Sequence, residues 1–162
     1  MKKYLNYINE SVNQLDELIH KCTLEGYYKP LSVLDKEYVM KYILNNFSID
    51  NLNFEELIKY DFPLNTKNSD GDTALILTLI KNNKELFKLL IDDGANVNIK
   101  YRNGNTALML ASARNKLDFV KLLIDAGANV NLKNICGDTA LFLSHCGNNK
   151  EIIELLKSKG AK

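Results

Sequence analysis

A cysteine beside a histidine supplies the residue types from which a thiolate nucleophile and its general base are built. The chain carries such a pair at His145 and Cys146, within "CGDTALFLSHCGNN", and a second thiol, Cys136, lies ten residues upstream. Two chemistries deserve weighing. A Cys-His nucleophile needs both side chains within hydrogen-bond reach, with a third group orienting the base. Neighbouring positions on a helix project about 100° apart and do not face each other, so a helical setting argues against this reading. A metal site built from Cys136, His145 and Cys146 would lack a fourth ligand and any recognised spacing. The other histidine, His20, falls on the polar side of a helical pattern. The carboxylate pairs Glu55-Glu56 and Asp92-Asp93 fall at helix ends or outer faces, where no pocket would use them. No P-loop, GxGxxG or HExxH is present. These residues predict no enzyme, no metal and no cofactor.

With 162 residues, 46% hydrophobic and 25% charged, the chain can bury one core. Net charge +1, from 21 basic and 20 acidic residues, gives no global field toward nucleic acid or anionic lipid. The first residues, "MKKYLNYINESVNQLDELIHKC", are interrupted by polar side chains and do not read as a signal peptide. No later stretch is long and apolar enough to span a membrane. An odd count of three cysteines without CxxC spacing suits a reducing compartment. The expected setting is therefore cytoplasmic, or a host cytoplasm for a viral or bacterial effector. Basic residues are nearly all lysine, with Arg102 and Arg114 the two arginines, and Asn and Ile abound. That bias suggests an AT-rich genome.

An internal period then organises the chain. "DGDTALILTLIKNNKELFKLLIDDGANVN" from Asp70 aligns without gaps with "NGNTALMLASARNKLDFVKLLIDAGANVN" from Asn103 and "CGDTALFLSHCGNNKEIIELLKSKGAK" from Cys136, at a 33-residue offset. In each copy a turn glycine (Gly71, Gly104, Gly137) precedes a threonine (Thr73, Thr106, Thr139) placed to cap a short helix opened by Ala-Leu. Asn82, Asn115 and Asn148 end that helix, as the non-glycine residue most tolerant of the left-handed conformation. A second apolar-striped helix follows and stops at Gly94, Gly127 or Gly160. The extended "GANVN" then turns toward the next copy.

This pattern resembles the ankyrin repeat, a 33-residue helix pair with the signature T-P-L-H-x-A. The signature proline is Ala74, Ala107 and Ala140 here, a change a helix start tolerates. The signature histidine is Ile76, Met109 and Phe142, so apolar packing is expected where a polar network would stand. The resemblance implies an all-α solenoid of helix-turn-helix units with projecting β-hairpin turns. Its units are an N-terminal capping helix region at 1–34, a degenerate repeat at 35–67 with Asp61 in place of the glycine, repeats at 68–100 and 101–133, and a C-terminal capping repeat at 134–162. Lys157, where the inner copies hold Ile91 and Ile124, marks that last unit as the polar end of the array. His145 aligns with Leu79 and Ser112 and is expected in a packed position.

The resemblance also implies a use: relatives bind protein partners in a concave groove of hairpin turns and first helices. By the repeat offset, that groove holds Lys67, Ser69, Asp70, Asp72, Ile80 and Lys81, then Lys100, Tyr101, Arg102, Asn105, Ala113 and Arg114, then Lys133, Ile135, Cys136, Asp138 and Cys146. The expected partner-binding residues are Tyr101, Arg102, Asn105, Arg114, Asp72, Ile80, Lys81, Ile135 and Asp138. Tyr101, Arg102 and Arg114 form the expected hot spot, because a planar ring or fork gives much contact for little lost freedom. The partner is then a protein with an acidic element, and the chain an inhibitor or host-directed effector. The rival is a self-associating adaptor using the apolar stripe of the N-terminal helix (Tyr4, Leu5, Ile8, Val12, Leu15), a homodimer rather than the expected monomer. Nucleic-acid binding through Lys67, Lys100, Arg102, Arg114 and Lys133 is disfavoured by the interleaved Asp70, Asp72 and Asp138, and no membrane partner is expected.

Overall fold

The protein is seen in a computed structural model that describes Met40, Lys41, Leu44, Asn45, Ile58 and residues 61–162. The expected N-terminal helix with its apolar stripe, Cys22 and His20 lie outside the described residues. Three helix pairs follow one another: α1 (Ala74–Lys81) with α2 (Lys84–Asp92), α3 (Ala107–Ala113) with α4 (Leu117–Asp125), and α5 (Ala140–Cys146) with α6 (Lys150–Ser158). No strand occurs among the described residues. Each first helix packs on its own second helix and on the first helix of the next pair, which is the layout of a solenoid.

Local chemistry sets the boundaries. Thr73, Thr106 and Thr139 accept hydrogen bonds from the backbone N–H three residues on and so start α1, α3 and α5. Asn82, Asn115 and Asn148 adopt the left-handed conformation with φ of 62°, 59° and 50°, and Asp61 does the same at 55° in the glycine position of the preceding unit. Asn83 and Asn149 cap α2 and α6. At the matching position Lys116 cannot accept; its Nζ instead reaches back 2.8 Å to Asn82 Oδ1 in the previous repeat.

The helix pairs are too short to bury their own faces, so the core runs between repeats. Leu75, Ile76, Leu79, Phe87, Leu90, Leu108, Met109, Phe119, Val120, Leu123, Ile152 and Leu156 are buried in one continuous cluster, which Met40 and Leu44 join from the preceding unit. Phe87 and Phe119 meet edge to face across the α2–α4 contact, with centroids 4.8 Å apart. The signature-histidine position holds apolar packing at Ile76 and Met109, as expected, but Phe142 is 56% exposed. His145 is a correction: it is exposed, and its Nδ1 lies 2.8 Å from Leu141 O. Leu79 and Ser112 are buried because a following repeat covers them, and no such repeat covers α5 in this structure.

Polar straps fix the stacking register. Asn65 Oδ1 accepts from Asn96 N–H and Asn98 Oδ1 from Asn129 N–H, both at 2.8 Å, and Asn131 Oδ1 accepts from Lys162 N–H at 2.9 Å. The asparagines of "GANVN" are thus connectors between repeats. Lys67 Nζ donates to Lys100 O and Lys100 Nζ to Lys133 O. On the outer side Lys84 pairs with Asp118 and Lys121 with Glu151. The Lys84 hydrogen bond holds the Asp118 carboxyl below its ordinary range. A folded-state value below the unfolded one stabilises at neutral pH, and that contribution is lost as pH falls through the depressed value. These side chains are exposed, so such pairs orient the stack more than they stabilise it.

The turns between repeats are hairpin-like loops with no strand on either side among the described residues. In the first, Asn68 N–H donates to Asp72 O and Gly71 N–H to Asn68 O, with Gly71 at φ 83°. This is a three-residue loop closed on a left-handed glycine. Gly104 carries a further demand, because Ile135 of the next turn lies against it. A Cβ there would meet Ile135 Cγ2 at 3.2 Å and Ile135 N at 3.3 Å, whereas one at Gly71 meets nothing within 4 Å. Gly71→Ala is expected to lose about 1–2 kcal/mol for its backbone conformation alone, and Gly104→Ala more. Urea denaturation of the two variants checks this, and equal losses would contradict the close approach at Gly104.

Candidate functional site: the concave groove

The groove is built from the turn tips on one side and the exposed face of α1, α3 and α5 on the other. The tips differ at one residue with large effect. Asn68 Oδ1 accepts from the N–H groups of Asp70 and Asp72, and Asn134 Oδ1 from those of Cys136 and Asp138. These self-bonded loops are Asx turns. The central tip has Tyr101 there, which offers no such acceptor. Instead Asn103 turns left-handed at φ 57° and Arg102–Gly104 forms a short 3-10 turn.

Released from its own Asx turn, the central tip bonds to both neighbours. Arg102 donates from Nε to Asp72 Oδ1 at 3.2 Å and from Nη2 to Asp72 Oδ2 at 2.5 Å, and Nη2 also lies 3.3 Å from Asp70 Oδ2. The Asp72 side chain is only 1% exposed, so this two-pronged cation is what its buried carboxylate faces. Hydrogen bonding to Asp72 raises the Arg102 guanidinium further above its already high ordinary value. On the other side Asn103 O accepts from Ile135 N–H at 3.0 Å, and Asn105 Oδ1 accepts from Asn134 Nδ2 at 3.0 Å. Three tips become one bonded edge.

This geometry divides the expected site residues. Arg102, Asp72, Asn105 and Asp138 belong to the bonded edge, Asp138 accepting from Asn134 Nδ2 at 3.2 Å. Arg114, Lys81 and Ile80 are exposed on the helix side, and Ile135 is 75% exposed at the last tip. The side chains of Arg114 and Lys81 have no hydrogen-bonded or ion-paired partner among the described residues. Tyr101 is half-buried between the two sides; burial pushes its phenol above the ordinary value, partly offset by the nearby Arg114 cation. The phenol therefore stays a neutral donor at physiological pH.

One set of residues escaped the sequence reading. Leu77, Leu110 and Leu143 are half-buried, and each stands three positions before Ile80, Ala113 or Cys146 on the same helix face. Together they make an apolar floor that crosses all three repeats. Their signal was sameness, leucine in every copy, which reads as framework when variable positions are taken to mark a site. Cys136 and Cys146 are both free thiols exposed on this surface. Among the described residues no group of three or more His, Cys, Asp or Glu could hold a metal ion, and no helix is long and apolar enough to cross a membrane.

Residues 39–134 match the family described as ankyrin repeats, in three copies. The chain belongs to the ankyrin-repeat family. The matched span ends at 134, and the helix pair α5–α6 continues the same pattern beyond it. Among solved structures, the ankyrin repeat domain of Bcl-3, a member of the IkappaB protein family, is similar at 30% identity and a TM-score of 0.60. The similarity covers 64% of this chain and 44% of that one, so this chain spans less than half the length of that relative. No curated protein matches the chain. Ankyrin repeats are non-catalytic scaffolds for protein–protein interaction, with no specific partner implied.

The edge makes a stability prediction. Arg102→Ala leaves the Asp72 carboxylate buried without its cation and should lower the melting temperature measurably. Adding Asp72→Asn to that variant should recover part of the loss, while Arg114→Ala should leave stability unchanged. Thermal denaturation of the three variants checks this; equal stability of Arg102→Ala and Arg114→Ala would contradict the structural role of Arg102.

Proposed function

We propose that the chain is a non-catalytic module that captures a partner protein in this groove, with Tyr101, Arg114 and Lys81 as the centre of contact. The observation that carries it is the pair of unpartnered cations, Arg114 and Lys81, beside the floor of Leu77, Ile80, Leu110 and Ala113. A segment bearing carboxylates next to apolar side chains complements that arrangement. Arg102 serves the site by holding the edge in place rather than by meeting the partner. That differs from the hot spot expected from residue types, because the fork already has two carboxylates.

The same bonding supports a protein partner over nucleic acid. Of the five cations in the nucleic-acid reading, Lys67 and Lys100 donate to main-chain carbonyls and Arg102 to Asp72. Arg114 and Lys133 remain, too few for the phosphate neutralisation that such binding rests on.

Partner capture from the source cell or its host, followed by titration with purified partner, tests the reading. Arg114→Ala combined with Lys81→Ala should weaken binding by more than about tenfold, roughly 1.4 kcal/mol, with an unchanged melting temperature. Undiminished affinity in that variant would contradict the assignment.

A further inference from the structure

The helix side of the groove is one surface repeated in all three helix pairs, with one variation. Leu77, Leu110 and Leu143 are half-buried, and Ile80, Ala113 and Cys146, one turn further along the same helices, are exposed. These rows are as open in the two inner pairs as in the third. Beside them stand Lys81, Arg114 and Gly147. Residues 74–81, 107–114 and 140–147 include no acid, and the side chains of Lys81 and Arg114 have no partner among the described residues. On the tip side Asp70, Asp72 and Asp138 stand among Lys67, Lys100, Arg102 and Lys133, so charge there is close to balanced. The uncompensated charge of the groove is therefore two cations, one repeat apart, at the edge of an apolar floor.

The tips offer a partner no free main-chain edge. Tyr101 N–H donates to Asn105 O, Gly104 N–H to Tyr101 O and Asn105 N–H to Arg102 O, while Asn103 O accepts from Ile135 N–H. A strand added alongside would find these groups already taken. An extended segment laid on the floor would lose water from its own backbone without replacement. A helix satisfies its backbone internally. Spacing points the same way, since packed helices stand roughly 8–10 Å apart and seven residues of a helix rise about 10.5 Å and return to nearly the same face. Three residues of strand cover about 10 Å but end on the opposite face. A polyproline segment does return to one face after about 9 Å, but it presents a single line of side chains to a floor two rows wide.

We infer that the groove takes an amphipathic helix of the partner protein, lying across the repeats, with two acids about seven residues apart over Lys81 and Arg114 and a large apolar side chain between them. The inference rests on the groove being the partner site and adds the form of what it holds. The side chain between the acids is the third or fourth residue after the first of them, on the same face of the partner helix. It settles on the leucine floor next to Ala113, the small member of the row that runs from Ile80 to Cys146. In the third pair Gly147 takes the place of the cations, and Ile135 at the tip is 75% exposed. The partner helix therefore meets that end with another apolar residue rather than a third acid, which sets its direction across the groove.

Selection from a displayed library of random peptides about sixteen residues long, roughly 24 Å as a helix, tests the inference with the full chain as bait. A second bait carries Arg114→Ala and Lys81→Ala together. Peptides retained by the parent and lost by the double variant should share two acids seven apart with a large apolar residue three or four after the first. In a synthetic copy of a selected peptide, a proline placed between the acids should weaken binding by more than about tenfold, because it breaks the helix. Peptides that need both cations but space their acids by two or three residues, or that tolerate the proline, would overturn the helix and leave the groove assignment standing. Peptides held equally by both baits would overturn the groove assignment as well. Failure of any shared pattern to emerge would also overturn the inference.

Discussion

No described helix pair can bury its own apolar surface, and everything else follows from the way neighbouring pairs cover each other. Helices of seven to nine residues are too short to be stable alone. Phe87 is buried because Phe119 of the next pair meets it, and Leu79 because a further first helix lies over it. The straps then hold the copies at one register: asparagine to main chain along the "GANVN" turns, lysine to carbonyl from Lys67 to Lys133, and Lys116 to Asn82. Each is individually weak, but each recurs at nearly the same offset, so together they admit one stacking arrangement.

That arrangement sets up the groove by fixing one edge and leaving the other available. The tips of the three turns are bonded to one another through Arg102, Asn103 and Asn105. Their conformational freedom is therefore lost on folding rather than on binding, which is what makes a preformed surface favourable for capture. The helix side keeps Arg114 and Lys81 without internal partners beside an apolar floor. Tyr101 replaces the asparagine that closes the outer tips on themselves, so the central tip turns to its neighbours and brings Arg102 to Asp72.

How much of this was legible in the sequence depends on where each residue finds its partner. The threonine and asparagine caps act on their own backbone within a few residues, and they were read correctly; Asp61, read as standing in the place of the glycine, turns out left-handed there. The Arg102–Asp72 bridge was not read, because it joins residues 30 apart rather than 33. Aligning the copies sets equivalent positions side by side, whereas the bridge joins non-equivalent ones. His145 failed for a related reason. Its column is buried in the earlier copies by the repeat that comes after, so the burial of Leu79 and Ser112 was never a property of that position alone. The leucine floor was missed because identical residues look like scaffold, although a half-buried leucine can serve both core and surface.

The central claim is that the preformed groove, with its bonded tips and free cations, is where a partner sits. Chemical-shift mapping of the isotopically labelled chain titrated with its captured partner tests it most directly. Perturbations should concentrate on Leu77, Ile80, Lys81, Tyr101, Leu110, Ala113 and Arg114. A footprint confined to the outer faces of α2, α4 and α6, with those groove resonances unmoved, would contradict the account.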